Sequence, residues 1–163
     1  MQQHCYTFGM DRSFAGLGTK LRFLLEQLDG DLARFEDEIG LAPYRPRYSP
    51  FVRALVEIGP VSIRDLAKAV GVTHSAASQT IAQMVRDGLV ELRRGDDGRQ
   101  RIVHLTDRTH DLLPLIDREW AIDEDAIRAL DAELPHPLGD VVDAALAALE
   151  RRPFLDRLRD VAV

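Results

Sequence analysis

The chain has 163 residues, of which 45% are hydrophobic and 29% are charged, and its formal net charge is −6. This length predicts one domain, or one domain with an added oligomerisation element. The chain has no run of the roughly 20 apolar residues that a membrane span needs, the N-terminus lacks a secretory-signal pattern, and the single cysteine, Cys5, cannot form an internal disulfide. The sequence therefore predicts a cytoplasmic protein without a membrane partner.

The first predicted element is a long amphipathic helix over 13–39. Its apolar positions recur at steps of three or four, at Leu17, Leu21, Leu24, Leu28, Leu32, Phe35 and Ile39. Gly40 is a plausible stop, and the proline-rich run 42–50 predicts a loop. Ser49 followed by Pro50 then opens a short helix to Ile58, because proline suits the first helical position.

The next segment predicts a helix-turn-helix. Ser62 with Asp65 three positions later is a variant of the capping box, and it starts a short helix that runs through Val70. Gly71 makes the turn, and Thr73 caps a second helix from His74 to Asp87. The inward residues of the two helices are Leu66, Ala67 and Val70, and Ala77, Ile81 and Met84.

Two β-prone runs follow, 89–93 and 101–105, and the Gly/Asp-rich loop between them predicts a β-hairpin. The hairpin is basic, since Arg93, Arg94, Arg99 and Arg101 fall within nine residues. The carboxylates concentrate instead at 26–38 and 117–143. The distribution of charge, rather than its sum, decides nucleic-acid binding, so a basic patch on an acidic body is compatible with it.

The C-terminal third predicts further helices. Thr106 caps a long helix to about Leu134 that contains Pro114, the run 135–137 breaks it, and an amphipathic final helix follows, with Val141, Val142, Ala145, Leu146 and Leu149 on its apolar face. Pro153 interrupts a last short segment that contains Phe154, Leu155 and Leu158.

The predicted fold class is mainly α with a small β-hairpin wing, that is, a winged helix-turn-helix with long dimerisation helices. The predicted domains are an N-terminal dimerisation helix and loop at 13–48, the winged helix-turn-helix at 49–106, and C-terminal dimerisation helices at 107–163. The flanking helices carry more apolar surface than a winged domain of roughly 60 residues can cover, and such patches usually mark an interface. We therefore expect a homodimer.

The predicted function is recognition of double-stranded DNA. The outer face of the second helix carries His74, Ser75, Ser78, Gln79 and Gln83. Glutamine can pair with adenine in the major groove, and serine can donate to phosphate or to a base edge. In the wing we expect Arg93, Arg94 and Arg101 near phosphates, Arg99 at the tip in the minor groove, and Asp97 orienting the Arg99 guanidinium.

The stretch 62–106 resembles the DNA-binding core of the MarR family of regulators. The matching residues are Ile63-Arg64-Asp65-Leu66-Ala67, Gly71-Val72, Gly88-Leu89-Val90 and Asp97-Gly98-Arg99 ahead of Leu105-Thr106. The resemblance implies a homodimeric transcription regulator, a repressor, on a pseudo-palindromic operator, with a small aromatic or lipophilic effector. The family often has basic residues where this chain has Gln79 and Gln83, and usually a glycine where it has Thr109.

Candidate effector contacts are the aromatic residues Phe23, Tyr44, Tyr48 and Trp120, a set that is equally consistent with core packing. Pro114 should kink its helix and is either a hinge between DNA-binding and dimerisation parts or a passive bend. Cys5 is either a redox sensor beside Tyr6 or, as we favour, an inert thiol in a frayed terminus.

The main alternative function is a non-catalytic winged-helix module that docks on protein. The wing arginines would then only protect a strand edge from aggregation. The five histidines are scattered without ligand spacing, so we expect neither a metal nor any other cofactor. Nothing in the sequence pairs a nucleophile with a base, and we therefore expect no enzymatic activity.

Overall fold

The computed structural model describes residues 16–95 and 100–162, and 72% of the structure is helical, with a small three-stranded antiparallel sheet. The predicted fold class is therefore confirmed. In chain order the elements are α1 (Leu17–Glu38), a 3₁₀ helix (Pro46–Tyr48), α2 (Ser49–Ile58), β1 (Val61–Ser62), α3 (Ile63–Val70), α4 (His74–Arg86), β2 (Val90–Arg94), β3 (Arg101–Leu105), α5 (Asp107–Asp131), α6 (Leu138–Arg151) and α7 (Phe154–Val161). Cys5, Asp97 and Arg99 lie outside the described residues.

The helix-turn-helix forms through the predicted caps. The Ser62 hydroxyl oxygen accepts a hydrogen bond from the backbone N–H of Asp65 at 3.1 Å and donates to the Asp65 carboxylate at 2.7 Å. Gly71 ends α3 in the left-handed conformation, at φ 76°, which glycine adopts without a steric penalty. Thr73 accepts from the backbone N–H of Ala76 at 3.2 Å and so starts α4. The turn between the two helices therefore runs from the Gly71 C-cap of α3 to the Thr73 N-cap of α4.

The two helices of the motif pack through small and apolar residues. Leu66, Ala67, Ala77, Ile81 and Met84 are all buried. These are the predicted inward residues, apart from Val70, which is only half-buried. Ala67 is a small residue buried between the apolar side chains of the motif, and the exposed residues of α4 include the polar His74, Ser75 and Gln79.

The sheet is larger than predicted. β2 and β3 form the expected antiparallel hairpin, with Val90 opposite Leu105 and Arg94 opposite Arg101. A third strand, β1, pairs with β3 and places Val61 opposite Val103. The sheet order is β1-β3-β2, so β3 is the central strand and the wing is attached to the segment that precedes α3.

The prediction that the proline-rich run 42–50 is a loop is wrong for its second half. Pro46 to Tyr48 form one turn of 3₁₀ helix, and α2 begins directly after it at Ser49. Proline lacks the N–H that the first turn of a helix leaves unpaired, so Pro46 and Pro50 both suit helix starts. As a result Tyr48 is held in the core rather than on a surface loop.

The chain divides into two compact units, residues 1–115 and 116–163, and the division falls inside α5, just after Pro114. Within the first unit, the core is built from the helix-turn-helix, α2, the 3₁₀ helix and the sheet; its buried apolar residues include Leu41, Val52, Leu55, Leu89 and Val103. Within the second unit, α6 and α7 contain no buried residue.

Candidate nucleic-acid interface

The N-terminal half of α4 presents a polar, solvent-exposed face. His74, Ser75 and Gln79 are exposed, and Ser78 is half-buried. The His74 Nε2 atom lies 3.5 Å from the Ser78 hydroxyl oxygen, which is the only hydrogen-bond contact that the described residues give these four side chains. This face is therefore available to an outside partner, and its donors and acceptors suit base edges and phosphates alike.

Gln83, predicted to belong to the same face, is engaged within the protein instead. Its side-chain nitrogen donates to the Asp87 carboxylate at 3.0 Å, and its side-chain oxygen accepts from Arg86. It lies in the last turn of α4 and is half-buried. The Gln83 amide thus helps to end the helix, and a base could bind it only by displacing these partners.

The C-terminal end of α4 is tied to the 3₁₀ helix by Tyr48. The buried Tyr48 hydroxyl donates to the Asp87 carboxylate at 2.6 Å, and the Arg47 guanidinium stacks 5.4 Å from the centre of the Tyr48 ring. Burial, followed by the hydrogen bond to Asp87, raises the pKa of Tyr48 above its ordinary value of 10.0, so the phenol stays protonated as a donor. Sequence reasoning missed this link, because its two residues are 39 positions apart.

The wing strands present their arginines in two different ways. Arg93 forms an ion pair with Glu91 on its own strand. Arg94 and Arg101 face each other directly across the hairpin, and both are exposed. Like charges in that position are destabilising, and no carboxylate among residues 16–95 and 100–162 forms an ion pair with either. An anionic partner would remove the repulsion.

The base of the wing is fastened by two threonines. The Thr106 hydroxyl donates to the Gly88 carbonyl at 2.8 Å and accepts from the backbone N–H of Thr109, which starts α5. The buried Thr109 hydroxyl donates to the Leu89 carbonyl at 2.6 Å. Where a glycine could only allow close packing, Thr109 adds a hydrogen bond, and so the wing, the end of α4 and the start of α5 are held together.

The charge of the chain is unevenly distributed over these elements. Residues 49–106 contain eight Lys and Arg residues against six Asp and Glu residues, whereas 107–163 contain seven against fourteen. The acidic net charge therefore comes mainly from the C-terminal third. The winged region is mildly basic, as a surface that meets phosphates requires.

The aromatic residues named as effector contacts differ in accessibility. Tyr44 and Tyr48 are fully buried, stand edge to face with ring centres 6.2 Å apart, and use their hydroxyls within the protein. This geometry favours the core-packing alternative for both tyrosines. Phe23 in α1 and Trp120 in α5 are half-buried.

No three His, Cys, Asp or Glu side chains are placed to hold a metal ion in the part of the chain that the structure describes. None of the helices in 16–95 and 100–162 combines the length and apolar character of a membrane span.

Comparison with known proteins connects this site to a family. Residues 46–100 match the family model whose description is MarR family. No curated protein matches the chain in sequence.

Solved structures share its fold. The Mycobacterium tuberculosis (M. tuberculosis) transcriptional regulator MosR, solved in complex with DNA, is 19% identical over 85% of this chain and 99% of its own, with a TM-score of 0.63. The Streptomyces coelicolor regulator PcaV, solved in complex with its natural ligand, is 17% identical over 85% of this chain and 96% of its own, with a TM-score of 0.59. A MarR protein from Peptoclostridium difficile is 15% identical over 93% of this chain and 94% of its own, with a TM-score of 0.60.

The matched segment begins at the 3₁₀ helix and ends in the wing, so it contains the whole helix-turn-helix. Residues 46–100 are thus similar in sequence to the MarR family, and the chain shares its fold with solved transcriptional regulators.

Proposed function

We propose that this protein is a sequence-specific, DNA-binding transcription regulator without enzymatic activity, and that it acts as a repressor. The observation that carries the proposal is the exposed polar face of α4 together with the exposed pair Arg94 and Arg101 in the wing, which form no ion pair with any residue that the structure describes. The segment 46–100, which contains α4 and the first wing strand, matches the MarR family. A helix in the major groove and a basic hairpin against the flanking backbone are the two contacts that a winged helix makes. MosR, which has the same fold, was solved in complex with DNA.

In this proposal His74, Ser75, Ser78 and Gln79 meet bases and phosphates in the major groove. Arg93, Arg94 and Arg101 lie near backbone phosphates, and Arg99 enters the minor groove with Asp97 beside it. Gln83 contributes only if it leaves Asp87. The ion pair with Glu91 makes Arg93 the weakest of the three phosphate contacts.

The proposed assembly is a homodimer on a pseudo-palindromic operator. α6 and α7 expose large apolar side chains, among them Val141 at 50%, Leu146 at 55% and Phe154 at 62%, and α1 exposes Leu17 at 74% and Leu25 at 58%. Amphipathic helices with uncovered apolar faces are stable in water only when another surface covers them, and a second copy of the chain supplies a matching one. Two copies then present two α4 helices roughly 34 Å apart, one turn of DNA.

We further propose that a small aromatic or lipophilic molecule modulates DNA binding. PcaV, which shares the fold, was solved with its natural ligand. Trp120 is the single tryptophan of the chain, so quenching of its fluorescence during titration with benzoate and with decanoate tests for such a site directly. A ligand that binds without changing operator affinity would contradict regulation, since an effector must favour one state over the other.

The test of DNA binding is fluorescence anisotropy on DNA from the upstream region of the protein's own gene, titrated with salt and compared with scrambled DNA. We expect tighter binding to the upstream DNA, with a steep salt dependence from phosphate contacts. Arg99→Ala should weaken binding and reduce that dependence.

A folded dimer with no preference for the upstream DNA over scrambled DNA would contradict an operator in that region. Absence of any salt-sensitive DNA binding would favour the alternative function, a winged-helix module that docks on protein.

A further inference from the structure

A charged groove lies between the start of α3, the start of α4 and the loop end of the wing strands. It is open to solvent, has a volume of about 360 Å³, and is lined by Arg64, Asp65, His74 and Arg101 among others. Three different elements contribute these side chains, although Arg64 and Arg101 are 37 positions apart in the chain. The fold therefore brings two guanidinium groups to one concave surface.

Within the part of the chain that the structure describes, no ion pair cancels the positive charge of this groove. Neither Arg64 nor Arg101 forms an ion pair with any residue of 16–95 or 100–162. The carboxylate of Asp65 also lines the groove, but it accepts the Ser62 hydroxyl at 2.7 Å and is committed to the cap of α3. Among the described lining residues, one carboxylate stands against two guanidinium groups, which leaves about one unit of positive charge available to an anion.

A second observation at the same place also points to an anion. Arg101 stands opposite Arg94 in the hairpin, so the edge of the groove carries a like-charged cross-strand pair. Like charges directly opposite each other in a sheet repel, and an anion that binds between or beside the two groups reduces that repulsion.

We infer that this groove seats a phosphate of the DNA backbone, held by Arg64 from α3 and Arg101 from β3. The inference rests on the proposed DNA-binding function and adds Arg64, from the first helix of the motif, to its contacts. Because the groove joins α3, α4 and the wing, a phosphate there would fix the depth at which α4 enters the major groove. Arg64 is then a positioning contact that carries no base specificity.

The test compares two variants that remove the same charge from the same helix. Arg64→Gln removes the guanidinium from the groove, and Lys68→Gln removes an exposed ammonium that does not line it. We expect Arg64→Gln to lower the log–log salt slope of DNA binding by about one and to weaken operator and scrambled DNA by the same factor. Lys68→Gln should leave the slope unchanged, and Arg64→Lys should restore it, since lysine also binds phosphate as a point charge.

Equal slopes for Arg64→Gln and Lys68→Gln would overturn the inference, and so would a loss of affinity confined to the operator, which would indicate base readout. A site for free anions is tested by replacing chloride with inorganic phosphate at constant ionic strength. If free phosphate competes with DNA in the wild type but Arg64→Gln still binds DNA normally, the groove binds free anions and not the DNA backbone, and the inference is overturned. If the wild type shows no salt-sensitive DNA binding, the proposed function fails. If the wild type binds and the variants give the overturning results described above, only the inference about Arg64 fails.

Discussion

The winged helix-turn-helix and the C-terminal helices α6 and α7 are both amphipathic, yet only the first buries its apolar residues. Leu66, Ile81 and Met84 of the motif are completely covered, whereas Leu146 and Phe154 remain more than half exposed. The winged region forms its core from elements that are neighbours in the chain. The C-terminal helices form none of their own, so their stability depends on a surface outside their own unit.

The largest effect should come from a charge in the exposed apolar face. We expect Leu146→Asp to abolish dimerisation and to weaken operator binding by about 10²–10⁴-fold, because the second half-site then no longer benefits from linkage to the first. The measurements are light scattering after gel filtration and anisotropy on the operator. Ala144→Asp places the same charge at an exposed position outside the apolar set Val141, Val142, Ala145, Leu146 and Leu149, and should change neither. A dimer that survives Leu146→Asp would show that this face is not the interface.

The two regions should also differ in how the replacement of a leucine by alanine changes the free energy of unfolding. Leu66→Ala removes a fully buried side chain and should lower the free energy of unfolding by about 2–5 kcal/mol at any protein concentration. Leu146→Ala should matter only through the dimer, so its effect on the melting temperature should grow with protein concentration. Thermal unfolding over a hundredfold range of concentration separates these two behaviours, and a concentration-independent loss for Leu146→Ala would contradict the comparison.

Tyr48→Phe tests the connection between the 3₁₀ helix and the C-terminal end of α4. Loss of a hydrogen bond to a charged acceptor should lower stability by about 1.5–3 kcal/mol. The raised pKa of Tyr48 gives a second readout. Its stabilising contribution is complete below the unfolded pKa, about 10, and is lost as pH rises through the higher folded value. Wild-type stability should therefore fall above pH 10 by an amount that the variant does not show, as measured by denaturant unfolding at several pH values.

Gln79→Ala and Gln83→Ala distinguish a residue proposed to contact bases from one that stabilises the end of the same helix. Gln79 is exposed, and its loss should reduce operator preference by about 1–3 kcal/mol without changing the affinity for scrambled DNA. Gln83 is bound to Asp87 and Arg86, so its loss should lower thermal stability slightly and leave the preference unchanged. Anisotropy and thermal unfolding of both variants are sufficient, and a loss of preference in Gln83→Ala would show that this residue releases its partners to meet a base.

Pro114 lies next to the division between the two compact units, and it should have the smallest effect. If it is a hinge, Pro114→Ala should stiffen α5 and change the affinities for operators with altered half-site spacing by about 0.5–2 kcal/mol. If it is a passive bend, affinities across a series of spacer lengths should coincide with those of the wild type. Anisotropy on operators that differ by single base pairs in the spacer distinguishes the two.

The sequence predicts the helix-turn-helix well because its signals are local. Ser62, Gly71 and Thr73 each act within three residues of the helix end that they determine. Strand β1 could not be predicted, since two residues show no alternation and its pairing partners lie some 40 positions away at Ile102 and Val103. The partners of Gln83 could not be predicted for a similar reason. Helical spacing shows on which face of a helix a side chain lies, but not whether that side chain is already hydrogen-bonded within the protein.

The engagement of Gln83 in the last turn of α4 limits how many side chains the proposed DNA-binding surface can offer to bases. With that residue committed to Asp87, the reading surface shrinks to the first two turns of the helix, from His74 to Gln79. Each good base contact adds only about 1–3 kcal/mol of discrimination, so a half-site read by so few side chains tolerates substitutions. We expect a degenerate operator consensus, in which symmetry and the bendability of the spacer distinguish true sites from the many near matches in a genome.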